Sequence, residues 1–217
     1  IVALVMLSVS FLMFIFFTVR AKRGGQFTLR PIRAYERIRQ LVSHATESGR
    51  AIHLGMGSGR LGSEATPEAL MGITVLDYLA RGTAQYDYPL VGTTGSPTIL
   101  AAAQGVRQRA NQGAGVSERW GSKDVRFYGP DPFAYAAGAW DTLKEKEHLA
   151  NIVIGQFDAE GLWICESTRT GDIMQLGGTS DPAAAMLMQI SLDDAVIGEE
   201  VFAAGAHLHR PSHLGSL

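Results

Sequence analysis

The residues best placed to do chemistry form a glycine-rich run, Gly57-Ser58-Gly59-Arg60-Leu61-Gly62. It follows a short apolar stretch and has the spacing of a dinucleotide fingerprint, in which glycines let a pyrophosphate approach the backbone at a helix N-terminus. Two features oppose that use. The next helical pattern opens at Thr66, too late for the third glycine to pack against the strand. The following strand runs into Gly92-Thr93-Thr94-Gly95, with no acidic residue to hold a ribose hydroxyl. A broader reading uses the small polar residues of several loops. Ser58, Gly59, Thr93, Thr94, Ser96, Thr179 and Ser180, with Gly57 and Gly62, would line the carboxyl edge of one sheet. Helix N-termini gathered there favour a small anion or a nucleotide. The competing reading is that these residues only cap helices.

Other constellations carry less. His207, His209 and His213 have a spacing that can hold a transition metal, but Pro211 interrupts them and no second ligand group accompanies them, so no metal is assigned. Asp193, Asp194, Glu199 and Glu200 read as a solvated loop and a helix start rather than as paired catalytic carboxylates. The one cysteine, Cys165, excludes an internal disulfide and a cysteine-cluster metal site. It ends the apolar run Leu162-Trp163-Ile164-Cys165 and reads as a buried small hydrophobe. No serine sits in a nucleophile elbow and no Gly-Lys-Ser/Thr phosphate loop is present. No catalytic residue is therefore assigned and no cofactor is specified.

The elements that must position these residues repeat. A short apolar run ends in glycine, small residues follow, and then a Ser, Thr or Asp precedes a proline that opens a helical pattern. The copies are Ile52–Gly55 with Thr66-Pro67, Leu90–Gly92 with Ser96-Pro97, Val125–Gly129 with Asp131-Pro132, and Ile173–Gly177 with Asp181-Pro182. A side-chain oxygen before the helix accepts from its orphan amides, and a proline at the next position has no amide to leave unsatisfied. Such units build βα repeats around a buried parallel sheet. Helices are predicted at 66–81, 97–112, 132–147 and 182–190, with a loop at 113–122. Further strands are expected at Asn151–Gly155, Leu162–Glu166 and Ala195–Gly198. Ile152–Phe157 and Leu162–Cys165 are expected to pair as a hairpin, placing one antiparallel element on the sheet.

Ahead of this unit lies a different kind of segment. Ile1–Val19 carries no charge, and only Ser8, Ser10 and Thr18 are polar. As a helix it is roughly 28 Å long, close to a bilayer's hydrocarbon thickness. Arg20, Lys22, Arg23, Arg30 and Arg33 follow it, and basic residues favour the cytoplasmic side. Because the chain opens on Ile1 rather than Met, sequence is expected upstream. Ile32, Tyr35, Ile38, Leu41, Val42 and Ala45 recur at helical spacing opposite Arg33, Arg37, Arg39 and Gln40, and Gly49 is a good terminator. This predicts an amphipathic helix between membrane and domain, its basic face turned either to anionic headgroups or to solvent. The net charge of −2 becomes about −5 once Arg20, Lys22 and Arg23 are set apart, which argues against a nucleic-acid partner.

From Arg30 to Leu217 the chain resembles an uncharacterised family of membrane-anchored bacterial proteins, a domain of unknown function. The residues that carry the resemblance are Ala51-Ile52-His53-Leu54-Gly55-Met56-Gly57, Tyr128-Gly129-Pro130-Asp131-Pro132-Phe133-Ala134-Tyr135-Ala136-Ala137-Gly138 and Ile197-Gly198-Glu199-Glu200-Val201-Phe202-Ala203-Ala204-Gly205-Ala206. The resemblance brings no activity and no catalytic residues. It implies that further membrane segments follow Leu217.

These readings predict a transmembrane helix at 1–19, a juxtamembrane basic cluster and amphipathic helix at 20–49, and an α/β domain at 50–217 with a Rossmann-like, mostly parallel sheet flanked by helices. The expected protein is a non-enzymatic, single-pass module of the cell membrane. Its soluble domain lies on the cytoplasmic side, and its partners are the lipid bilayer and copies of itself. The alternative is a nucleotide- or anion-binding enzyme or sensor using the glycine-rich loops.

Overall fold

The computed structural model describes residues 2–22, 30–86, 90–116, 124–145, 147–169 and 171–209. The chain divides into two compact units, one comprising Ile1–Pro31 with His209–Leu217 and the other Ile32–Leu208.

In the first unit, helix α1 spans Val2–Lys22. Its stretch Val2–Val19 is long and apolar enough to cross a membrane by length and composition, and none of it is buried. The hydroxyls of Ser8 and Thr18 donate to the carbonyls of Leu4 and Phe14 one turn back, at 2.9 and 2.7 Å. Two of the helix's polar side chains therefore keep their hydrogen bonds without water.

The second unit is a six-stranded parallel sheet with helices on both faces. Helix α2 (Arg33–Ser48) leads into β1 (Ala51–Gly57), α3 (Thr66–Thr83), β2 (Leu90–Thr94), α4 (Pro97–Gly113), β3 (Val125–Phe127) and α5 (Pro132–Glu145). Then come β4 (His148–Gln156), α6 (Glu160–Glu166), β5 (Met174–Thr179), α7 (Pro182–Met188), β6 (Asp194–Ile197), a 3-10 turn (Gly198–Ala203) and α8 (Ala204–Leu208). The strand order is β3-β2-β1-β4-β5-β6. All five pairings are parallel.

The expected hairpin does not form. Residues 160–166 make a helix, and Ile164 and Cys165 face the core from it, so the sheet has no antiparallel member. The apolar run Leu162–Cys165 is too short for periodicity to distinguish a strand from a buried helical turn.

Ile52, Leu54 and Met56 point to one face of β1 and pack with α2, α3, α4 and α8 in the larger core. Val153 and Phe157 pack with α5, α6 and Met188 of α7 on the other side. Helix α2 belongs to this unit: Ala34, Tyr35, Ile38, Leu41 and Ala45 are buried in the larger core. It ends at Gly49, whose left-handed backbone (φ 67°) lets its N–H reach the carbonyl of Ala45.

Candidate functional site at the carboxyl edge of the sheet

Parallel pairing puts every strand's carboxyl end on one edge. The strand order reverses between β1 and β4, and in open α/β sheets such reversals open the crevice where ligands bind. The loop after β1 enters this place through Gly57, whose φ of +75° and close approach to Gln156 admit no side chain.

Several donors at this edge are engaged within the protein. The Ser58 N–H donates to the carbonyl of Gln156 at 3.1 Å, and the Gly95 N–H and Thr94 hydroxyl donate to the carbonyl of Gly57 at 3.0 and 2.9 Å. The Leu61 N–H goes to Thr98 Oγ1 at 3.1 Å and the Gly62 N–H to Thr66 Oγ1 at 2.8 Å. A Cβ on Gly59 would stand 3.1 Å from the side chain of Gln156, which covers that glycine. The Ser96 N–H is taken by Thr94 Oγ1, and the Ser96 hydroxyl pairs with that of Thr98.

Two of the protein's own carboxylates complete this edge. Glu160, 2% exposed, accepts from the Ser58 hydroxyl at 3.1 Å and from the Asp158 N–H at 3.0 Å. Burial raises its pKa, and these hydrogen bonds work against that rise. Glu68, in the first turn of α3, accepts from the N–H and the hydroxyl of Ser180. That position also places its charge favourably for the helix dipole. The structure therefore joins Gly57, Ser58 and Thr94 with Glu160, and separately joins Ser180 with Glu68. Thr179 Oγ1 accepts from the Asp181 N–H. A cavity of about 380 Å³ opens beside Gln156 and Ser180, and Glu64, Glu68, Asp158 and Asp181 contribute to its wall.

Thr93 belongs elsewhere, in a buried polar row that sequence reasoning missed. The parallel register aligns His53 of β1 with Asn151 of β4, and Asn151 with Gln175 of β5. His53 Nδ1 lies 2.7 Å from Asn151 Oδ1, and Nε2 lies 2.9 Å from Thr93 Oγ1. Asn151 Nδ2 donates to Gln175 Oε1 at 2.9 Å, and Gln175 Nε2 donates to the Cys165 carbonyl at 3.1 Å and to Thr168. Tyr135 of α5 lies over this row, accepting from the Gly57 N–H and donating to the Thr93 carbonyl, both at 3.3 Å. The signal was present in the sequence. Ile52-His53-Leu54, Ala150-Asn151-Ile152 and Met174-Gln175-Leu176 each set one polar residue inside an apolar strand, where a buried parallel sheet calls for near-continuous hydrophobics. Burial pushes the His53 pKa down to about 3, against the opposing effect of the Asn151 hydrogen bond, so the ring is neutral. Burial also raises the Tyr135 pKa.

The remaining candidates fall outside this edge. His207 stacks on Tyr35 with ring centroids 5.4 Å apart. His213 lies outside the described residues, among which no group of three metal-ligating side chains occurs. Asp194 pairs with Arg37 at 2.8 Å, and Asp193 accepts from the Gln175 N–H. Cys165 is fully buried and its thiol is pushed up to about 12 by burial, so it supplies no thiolate at neutral pH.

The fold is thus a parallel α/β unit at whose carboxyl edge Glu160 and Glu68 hold two serine hydroxyls and two backbone N–H groups. Over its full length, residues 1–217, the chain belongs to a family described as a domain of unknown function (DUF6754). No curated protein and no solved structure matches it.

Proposed function

We propose that the chain is a membrane-anchored, non-enzymatic module in which α1 is a single-pass anchor for a Rossmann-like unit. That unit assembles with copies of itself on the cytoplasmic face of the cell membrane. The observation that carries the reading is the pair of internal carboxylates. Glu160 and Glu68 hold the hydroxyls of Ser58 and Ser180 and an adjacent backbone N–H each, the donors an incoming anion would use. The strand order, reversing between β1 and β4, supports the Rossmann-like assignment. The apolar length of α1 supports anchoring, and Arg20, Lys22 and Arg23 at its C-terminal side support cytoplasmic placement. A tether confines every copy to one plane and one orientation, so weak contacts between domains suffice for assembly. Mass measurement of the detergent-solubilised chain tests this. A multiple of 23.3 kDa plus the micelle is expected. A monomer at concentrations well above those in the membrane overturns it.

The cavity beside Ser180 favours a second reading, a nucleotide- or anion-binding enzyme or sensor at the same edge through Gly57, Ser58, Gly59, Gly62, Thr93, Thr94, Ser96, Thr179 and Ser180. Binding there would require Glu68 or Glu160 to release its serine. Thermal melting with millimolar ATP, NAD or phosphate separates the two. An unchanged melting temperature is expected, and a saturable rise promotes the second reading.

A further inference from the structure

We infer that the outer face of α5, α6 and α7 is the surface through which two copies of this chain pair about a two-fold axis. The inference rests on the self-assembly reading and names its interface. Phe133 and Trp140 on α5, Trp163 on α6, Met186 and Leu187 on α7, and Ile190 in the turn just after it are exposed on one helical layer. Met186 is 73%, Ile190 71%, Phe133 66% and Trp163 50% open. Contact joins α5 and α6 across this layer: the Phe133 and Trp163 rings meet edge to face, with centroids 6.1 Å apart. From Pro182 to Leu192 the chain carries no charge. Aromatic and methionine side chains with few charges are what the centre of a protein interface is made of.

Area identifies the occupant. Aromatic side chains can each bury ~150–250 Å², so three aromatic and three smaller aliphatic side chains, 37–73% open, together offer on the order of 600 Å² per face. Two such faces reach the ~1,200 Å² at which specific interfaces begin. Among the described residues of this unit the other exposed large apolar side chains, Leu70, Tyr86, Phe127, Ile197 and Phe202, stand singly on different segments and offer no second patch of this size, which favours the patch meeting itself. A patch that meets itself is isologous and closes as a dimer. The bilayer fits this face poorly. Asp131, Asp141, Asp158 and Asp181 flank the same helices and are exposed, and anionic headgroups repel them. Lys144 lies over Trp140, 4.9 Å from the ring centroid. Because the flanking charge is mostly acidic on both copies, the pairing should tighten as salt rises.

The test uses the full chain, in detergent and in vesicles of phosphatidylcholine with phosphatidylglycerol. Wild-type chain is expected to be a dimer whose affinity does not fall with added salt. Met186→Asp and Ile190→Asp, at open positions, should each weaken it at least about tenfold while the circular dichroism stays unchanged. Trp163→Gln, a milder change on the neighbouring helix, gives an independent measure should either aspartate disturb folding. A dimer that all three variants leave intact overturns this surface while self-assembly stands. A monomeric wild-type chain removes the reading beneath it. Tryptophan fluorescence that brominated lipid quenches in the wild type but not in Trp163→Gln makes the bilayer the occupant and overturns the pairing.

Discussion

His53 is fully buried and neutral, which makes the sheet sensitive to acid. The row has a consistent direction. The Thr93 hydroxyl can donate to Nε2 while Nδ1–H donates to Asn151, Asn151 to Gln175, and Gln175 to the Cys165 carbonyl. The folded ring resists protonation down to about 3, whereas an unfolded histidine takes a proton near 6.5. Between those values the unfolded chain binds the extra proton, so stability falls as pH is lowered, by an amount on the order of a few kcal/mol. Glu160 has the opposite sign. Its raised pKa favours the folded state at low pH, and that contribution is lost as pH rises through its folded value. Melting of wild type and His53→Gln from neutral pH toward 4 tests the assignment. The variant should be less stable at neutral pH but lose less on acidification. Equal slopes would place the acid sensitivity on another group.

At the scale of elements, the four Ser/Thr/Asp-Pro signals each mark a helix start, but only two act as side-chain caps. Asp131 accepts from the Ala134 N–H at 2.9 Å, and Asp181 from the Ala184 N–H at 2.8 Å. Thr66 falls inside α3 and bonds its preceding loop, while Ser96 turns its hydroxyl to Thr98. Asp131→Ala and Asp181→Ala should therefore each cost about 0.5–2 kcal/mol in urea unfolding. Ser96→Ala should cost less than either, and equal losses at all three would erase the distinction. The βα rhythm was legible because glycine-ended apolar runs and prolines are local signals. Helix α6 was not, because Leu162–Cys165 suits either a strand or a buried helix over so few residues. The carboxyl edge was legible as an edge, but its occupants were not. Glu160 lies 102 residues from Ser58, and Glu68 lies 112 from Ser180, separations at which only the folded topology pairs them.

For the whole molecule, the decisive question is which side of a membrane the sheet occupies. Val2–Val19 supplies the length and apolarity of a span, and Arg20, Lys22 and Arg23 follow it directly. Lys and Arg near a membrane end are retained in the cytoplasm, while acidic residues contribute little to orientation, so the acidic balance of the folded unit does not oppose this placement. Protease added outside sealed cells should leave residues 32–208 intact, and cutting should begin only after lysis. Exchanging Arg20, Lys22 and Arg23 for serine should weaken the orientation and make a fraction of the chains accessible from outside. Digestion of the wild-type domain without lysis would put the sheet on the opposite face, and the α5–α6–α7 surfaces of neighbouring copies would then meet outside the cytoplasm.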